Sequence, residues 1–102
     1  MIYVIAIIEA TDGRRDDLLA EMNQVVPLVR AEEGCLEYQP SIDAVTPIEV
    51  QRPFGGDSVV IVERWTGVPT LQKHLQAPHM IEYRKRIVGL VKGAKIHVLQ
   101  PT

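Results

Sequence analysis

Two stretches of this chain, IYVIAII at residues 2–8 and SVVIV at 58–62, run apolar where a half-exposed strand would alternate with polar residues. Successive side chains of a strand point to opposite faces, so a strand without alternation needs cover on both. That is a heavy demand on 102 residues, enough for a single domain over 1–102 with a modest core of its own. Apolar residues make up 46% and charged residues 24%, a globular balance with no tract polar enough for disorder. Eleven Lys and Arg against 13 Asp and Glu leave a net charge of -2, which supplies no general attraction for a phosphate backbone or an anionic membrane. Nucleic acid and membrane are therefore not expected partners. The apolar start lacks the basic region and cleavage site of a secretory signal, and no run reaches the roughly 20 apolar residues of a membrane helix. Cys35 has neither a disulfide partner nor a CxxC zinc motif, which makes a reducing cytoplasm the expected location.

Periodicity predicts the order strand, helix, strand, strand, helix pair, strand. After a first strand over 1–10, Thr11 or Asp12 is placed to cap a helix beginning near Gly13, with Asp16 and Asp17 in its first turn. Leu18, Leu19, Met22, Val25, Val26 and Val29 recur at spacings of three and four, the stripe of a helix lying on a core. Pro27, disfavoured inside a helix by about 3 kcal/mol, predicts a kink or a bend. Gly34 is expected as the left-handed C-cap. CLEYQPSI, 35–42, reads as a second strand, with Cys35, Glu37 and Gln39 alternating against Leu36, Tyr38 and Pro40. Residues 43–57, with two prolines and a Gly-Gly pair, form a long connection with room for a short strand at IEV. SVVIVERW, 58–65, is the third strand, with Glu63 and Trp65 on one face. Pro69 opens a helix through LQKHLQ, and Ala77-Pro78 breaks and restarts it. Met80, Tyr83, Ile87, Leu90 and Val91 form the apolar face of the last helix, which Gly93 closes before the final strand AKIHVLQ.

This order suits an α+β ferredoxin-like sandwich, a four-stranded antiparallel sheet with both helical segments on one side. The chain has no further helices for the other side. A second copy is the economical cover, so a homodimer joined through its sheet faces is expected, with the 43–57 loop folding over that face as the alternative.

EEGCLEY at 32–38, ERW at 63–65, the LQKHLQAPHM that follows, and the order of elements together resemble the antibiotic biosynthesis monooxygenase (ABM) domain, a family that includes small quinol monooxygenases. The resemblance covers nearly the whole chain. It implies a dimeric α/β barrel with a pocket between each sheet and its helices, and activities that range from cofactor-independent oxygenation of quinols and phenols to haem degradation and sugar-phosphate isomerisation. Fold alone does not choose among them. Two features of this sequence depart from the family's pattern. The strand VVIVERW offers no asparagine to hold a phenol, and MIYVIAII has none of the kind that the haem-degrading members pair with a histidine.

The resemblance points first to Trp65, whose indole can stack on a flat ligand and donate one hydrogen bond, or else seal the join between helix and sheet. His74, at the edge of its helix's buried stripe, suits the removal of a phenolic proton near neutral pH. His79, in the first turn of the next helix, is held neutral by the dipole, which makes it a second candidate base, and it shares a helix face with Tyr83. Tyr38 and Glu33 belong to the EEGCLEY motif, and the Tyr38 phenol is a candidate donor to a ligand oxygen. Glu63 faces the same way as Trp65; buried, it would need Arg, His or Tyr as partner, and a salt bridge across the dimer is its expected role. His97 and Cys35 read as structural.

The expected function is therefore cofactor-independent monooxygenation of a small aromatic quinol or phenol, with His74 and His79 as catalytic candidates and Trp65, Tyr38, Tyr83 and Glu63 binding substrate. No metal is required, and His74 and His79 lack ligand spacing. The rival readings are a dimer that binds a small hydrophobic ligand without catalysis, and an isomerase of a small polar metabolite, which would need a more polar pocket.

Overall fold

In the computed structural model, which describes residues 1–102, the chain forms β1 (Ile2–Ala10), α1 (Arg15–Arg30), β2 (Cys35–Ser41), β3 (Ser58–Trp65), α2 (Val68–Leu75), α3 (Pro78–Arg86) and β4 (Val91–Leu99). All pairings are antiparallel in the order β2-β3-β1-β4, which sets the two doubly apolar strands side by side at the sheet's centre. This is the expected ferredoxin-like α+β arrangement. No helix is long and apolar enough to cross a membrane.

The register lays Ile2 beside Trp65, Val4 beside Glu63 and Ala6 beside Ile61. That face is buried under Leu18, Met22, Val25 and Val29 of α1, Leu71 of α2, and Met80 and Tyr83 of α3. The opposite face, with Tyr3, Ile5 and Ile7 beside Val60 and Val62, stays half-buried with no helix over it. The 43–57 loop does not lay its apolar side chains there: Val45, Ile48, Val50 and Phe54 are exposed. IEV forms no strand, only a turn at residues 49–50. The loop is closed on itself, since Asp43 accepts the N–H groups of Phe54 and Gly55 at 3.0 and 2.9 Å.

Several local expectations are corrected. No side chain caps α1; the Arg14 N–H donates to the Thr11 carbonyl at 2.8 Å and Asp57 accepts the Gly13 N–H at 3.2 Å. Pro27 lies inside α1, which runs on to Arg30. The proline and Asn23, whose carbonyl loses a partner, both sit on the solvent face, where water can take the missing donor's place. Ala31, not Gly34, caps the helix, because its N–H already returns to the Pro27 carbonyl at 3.2 Å. Gly34, with φ +82°, makes the next bend, where a Cβ would stand 2.5 Å from Thr70 Cγ2 and 2.6 Å from Thr66 Oγ1. α3 stops at Arg86, and Leu90 and Val91 leave the predicted helix because β1 takes up the chain: Val91 pairs with Ala10 and Gly93 with Glu9, inside β4.

The alternation expected for β2 also fails. A bulge at Leu36 lets Cys35 pair with Trp65 and Tyr38 with Glu63, so Cys35 and Tyr38 share the helix-covered face. Leu36 is left exposed. The extra residue re-aims the strand, and it turns Tyr38 inward.

Candidate functional site

Between the sheet and the helices α2 and α3 lies a cavity of about 420 Å³, whose lining is mostly aliphatic: Val4, Ala6 and Ile61 on the floor, Leu71 and Met80 on the wall. The volume is that of a small-ligand pocket with room for one or two aromatic rings. Its polar groups are few. Tyr38, Glu63, His74, Tyr83 and Arg84 line it, and four of these five are residues that the sequence singled out.

His74 is 3% exposed, packed between the Trp65 ring, at 4.7 Å between centroids, and the edge of Tyr38, at 5.6 Å. Its Nδ1 lies 2.8 Å from Glu32 Oε2, and the same oxygen lies 2.8 Å from His79 Nε2. A carboxylate only accepts, so both imidazoles direct N–H groups at it, which assigns the His74 proton to Nδ1. Nε2 is then the basic nitrogen. It has no protein partner, and since no side-chain nitrogen or oxygen in the protein is both sealed and unpartnered, Nε2 is not closed off, on a residue that lines the cavity. Burial holds the imidazolium down, outweighing the hydrogen bond that His74 donates to Glu32, so His74 is neutral at pH 7.

Glu63 is 4% exposed and faces the cavity with no cation beside it. Its expected salt bridge is replaced by an internal partner: Trp65 Nε1 donates to Oε1 at 2.9 Å. Desolvation pushes this carboxyl up to about 7, against the lowering effect of the indole, and the Glu32 charge adds to the rise. Tyr38 is pushed far up by burial, and Tyr83 rises to about 12 for the same reason, so both phenols remain hydrogen-bond donors at neutral pH.

Trp65 is fully buried and does not line the cavity; it stands behind Glu63 and His74 and holds the first by a hydrogen bond and the second by its ring. A stacking contact with ligand therefore gives way to a supporting one. His79 is also outside the lining, and it turns to Glu32 instead of sharing a ligand with Tyr83. Glu33 is exposed near Lys73, His97 is exposed on β4, and the Cys35 thiol is raised by burial and packs against the core.

Two residues escaped the sequence reading. Glu32 belongs to the EEGCLEY motif, but which of its two leading acids points inward depends on the bend at Gly34. Arg84, one residue past Tyr83, lies in a charged run that looks like a solvated face, yet it reaches the cavity rim and donates to the Leu75 carbonyl. No group of three or more His, Cys, Asp or Glu side chains is arranged to hold a metal ion.

A family model described as antibiotic biosynthesis monooxygenase matches residues 1–86. The sequence is 37% identical over 103 aligned residues to the "Probable quinol monooxygenase YgiN" of Escherichia coli (strain K12), covering 99% of this chain and 98% of that protein. Among solved structures, PA3566 from Pseudomonas aeruginosa superposes with a TM-score of 0.82 at 25% identity, covering 99% of this chain and 93% of that one. Rv0793 from Mycobacterium tuberculosis gives a TM-score of 0.80 at 26% identity, covering 99% and 94%.

Proposed function

Because this chain belongs to the antibiotic biosynthesis monooxygenase family, we propose that it is a monooxygenase of a small aromatic quinol, working without a cofactor and as a homodimer closed sheet against sheet. The observation that carries this reading is one accessible imidazole nitrogen in an apolar cavity, with the other nitrogen of that ring tied to a carboxylate. This is the general-base arrangement in which an acid holds the tautomer and the free nitrogen meets the substrate.

In the proposed reaction His74 Nε2 takes one phenolic proton of the quinol. Glu32 stabilises the imidazolium that forms, and His79 keeps Glu32 in place from the other side. Tyr38 and Tyr83 donate to the substrate's oxygens. The electron-rich anion then reacts with dioxygen inside a cavity that keeps bulk water from the intermediates. Overall, quinol plus dioxygen gives hydroxyquinone plus water: one oxygen atom replaces a ring hydrogen, the other leaves as water, and the four electrons dioxygen accepts come from the substrate.

The test is oxygen uptake with a panel of one- and two-ring p-quinols, corrected for autoxidation. His74→Ala is expected to lower kcat/KM by about 10²–10⁴ while quinol binding persists. Micromolar quinol binding without His74-dependent uptake would instead identify a ligand-binding dimer.

A further inference from the structure

A carboxyl group without a cation is an odd tenant for an apolar cavity. Removing an unpaired carboxylate from water is costly, and a buried acid normally has an Arg, Lys or His⁺ against it. Glu63 has none. From its own strand it meets the Trp65 N–H; from β2 it faces Tyr38 and Cys35; from α2, His74; from the turn before β2, Glu32; from α3, Tyr83 and, at the rim, Arg84. β1 opposes it with Val4, β4 brings Ala94 and Ile96 to the cavity, and the buried stripe of α1 is apolar. Only Oε1 has a partner. Oε2 has none and, like His74 Nε2, is not sealed off.

We propose that Glu63 is the acid of the oxygen half-reaction, delivering a proton from Oε2 to the oxygen adduct of the substrate while Trp65 positions it through Oε1. This rests on the reading of His74 as base. The other polar groups of the cavity are unsuited to the task. Both tyrosines are driven above their ordinary range, so they give up protons poorly at neutral pH. A guanidinium does not release its protons, and His74 already holds the one taken from the quinol. Glu63, raised to about 7, is the group that carries a transferable proton under ordinary conditions.

The proton inventory closes. His74 takes the phenolic proton, and the ring carbon beside the resulting oxyanion bonds to dioxygen, giving a peroxide anion on a tetrahedral carbon. Glu63 protonates that anion to the hydroperoxide and becomes a carboxylate. It then takes the hydrogen of the same ring carbon as a proton; the C–H electron pair becomes the new C=O bond, the O–O bond breaks, and the leaving hydroxide takes the proton from His74 to become water. Both side chains return to their starting states, and the product is the hydroxyquinone.

Two pH limbs follow. His74 must be neutral, so activity falls on the acid side, below its ordinary range. Glu63 must be protonated, so activity falls on the alkaline side, above about pH 7. The experiment compares the full-length wild type with Glu63→Gln, which retains an acceptor for the indole but carries no acid. Bound 4-nitrophenol, followed anaerobically, reports proton uptake by His74 through its phenolate absorbance. Oxygen uptake with 1,4-dihydroxynaphthalene, followed against pH, reports the second half. The expected result is unchanged phenolate formation, turnover lower by about 100-fold, and loss of the alkaline limb. Turnover within threefold of wild type, or an alkaline limb that survives in Glu63→Gln, overturns the assignment. Wild-type protein that shows no His74-dependent oxygen uptake overturns the parent reading and this one with it. Should Glu63→Gln not fold, Glu63→Asp decides: a reduced rate with the alkaline limb retained supports the role, and a full rate refutes it.

Discussion

Glu32 Oε2 accepts from two imidazoles at once, and this makes it the pivot of the His74 geometry. Its hydrogen bond raises the His74 basicity that burial lowers, so Glu32→Gln should move the acid limb of the proposed quinol oxidation to lower pH and reduce kcat more than it raises KM. A purely structural role for Glu32 would leave the limb in place. Glu63 supplies a separate check that needs no substrate. Its folded-state value, about 7, lies above the ordinary 4.5, so its contribution to stability is complete below pH 4.5 and is lost as pH rises through 7. At about 1.4 kcal/mol for each tenfold change in ionisation, the whole loss is on the order of 3 kcal/mol. Denaturation midpoints of wild type should therefore decline from pH 4.5 to 7 relative to Glu63→Gln and run parallel above it; parallel behaviour throughout would mean that Glu63 ionises freely in the fold.

At the scale of elements, the short turn between α1 and β2 does the positioning. Gly34 takes a left-handed conformation with Thr66 and Thr70 where a Cβ would stand, and its carbonyl accepts the Thr66 N–H at 2.9 Å. Gly34→Ala combines backbone strain of about 1–2 kcal/mol with overpacking of about 1–3 kcal/mol, so a fall in Tm of roughly 10–40 °C is expected by calorimetry. Because Glu32 lies two residues away, the same variant should slow the proposed quinol turnover even where it is fully folded. The bulge at Leu36 works one step later in the chain. It sets Cys35 and Tyr38 on one face, an arrangement that strict alternation forbids, and it brings the Tyr38 and His74 rings into edge-to-face contact. α3 ends where it does because backbone pairing with β1 competes with the helix; Ile87, Leu90 and Val91 fit a helical stripe, but from Val91 the chain belongs to the sheet.

At the scale of the whole molecule, the sheet face built by Tyr3, Ile5, Ile7, Val60 and Val62 has no cover within the chain. Ile5 and Val62 are paired neighbours near its middle. If the wild type elutes in gel filtration at twice the chain mass, as proposed, Val62→Asp should elute at the mass of one chain, since a dimer would bury two aspartates in an apolar seam. A wild type that runs as a single chain at all concentrations would rule out the paired arrangement. The order of elements, the doubly apolar character of β1 and β3 and the naked apolar face were all legible in the sequence, as were four of the cavity's five polar residues. The elements and the naked face follow from periods of two and of three to four residues, which report on neighbours along the chain, whereas the polar residues were picked out by the motifs that carry the family resemblance. The tertiary structure alone decided that Glu32 and not Glu33 meets the histidines, that Trp65 supports the cavity instead of lining it, and that Glu63 faces the cavity with no cation beside it. The reason is distance along the chain. Glu32 finds His74 and His79 at separations of 42 and 47 residues, and contacts of that span are set by how the sheet and helices close on one another, which no local pattern of residues encodes.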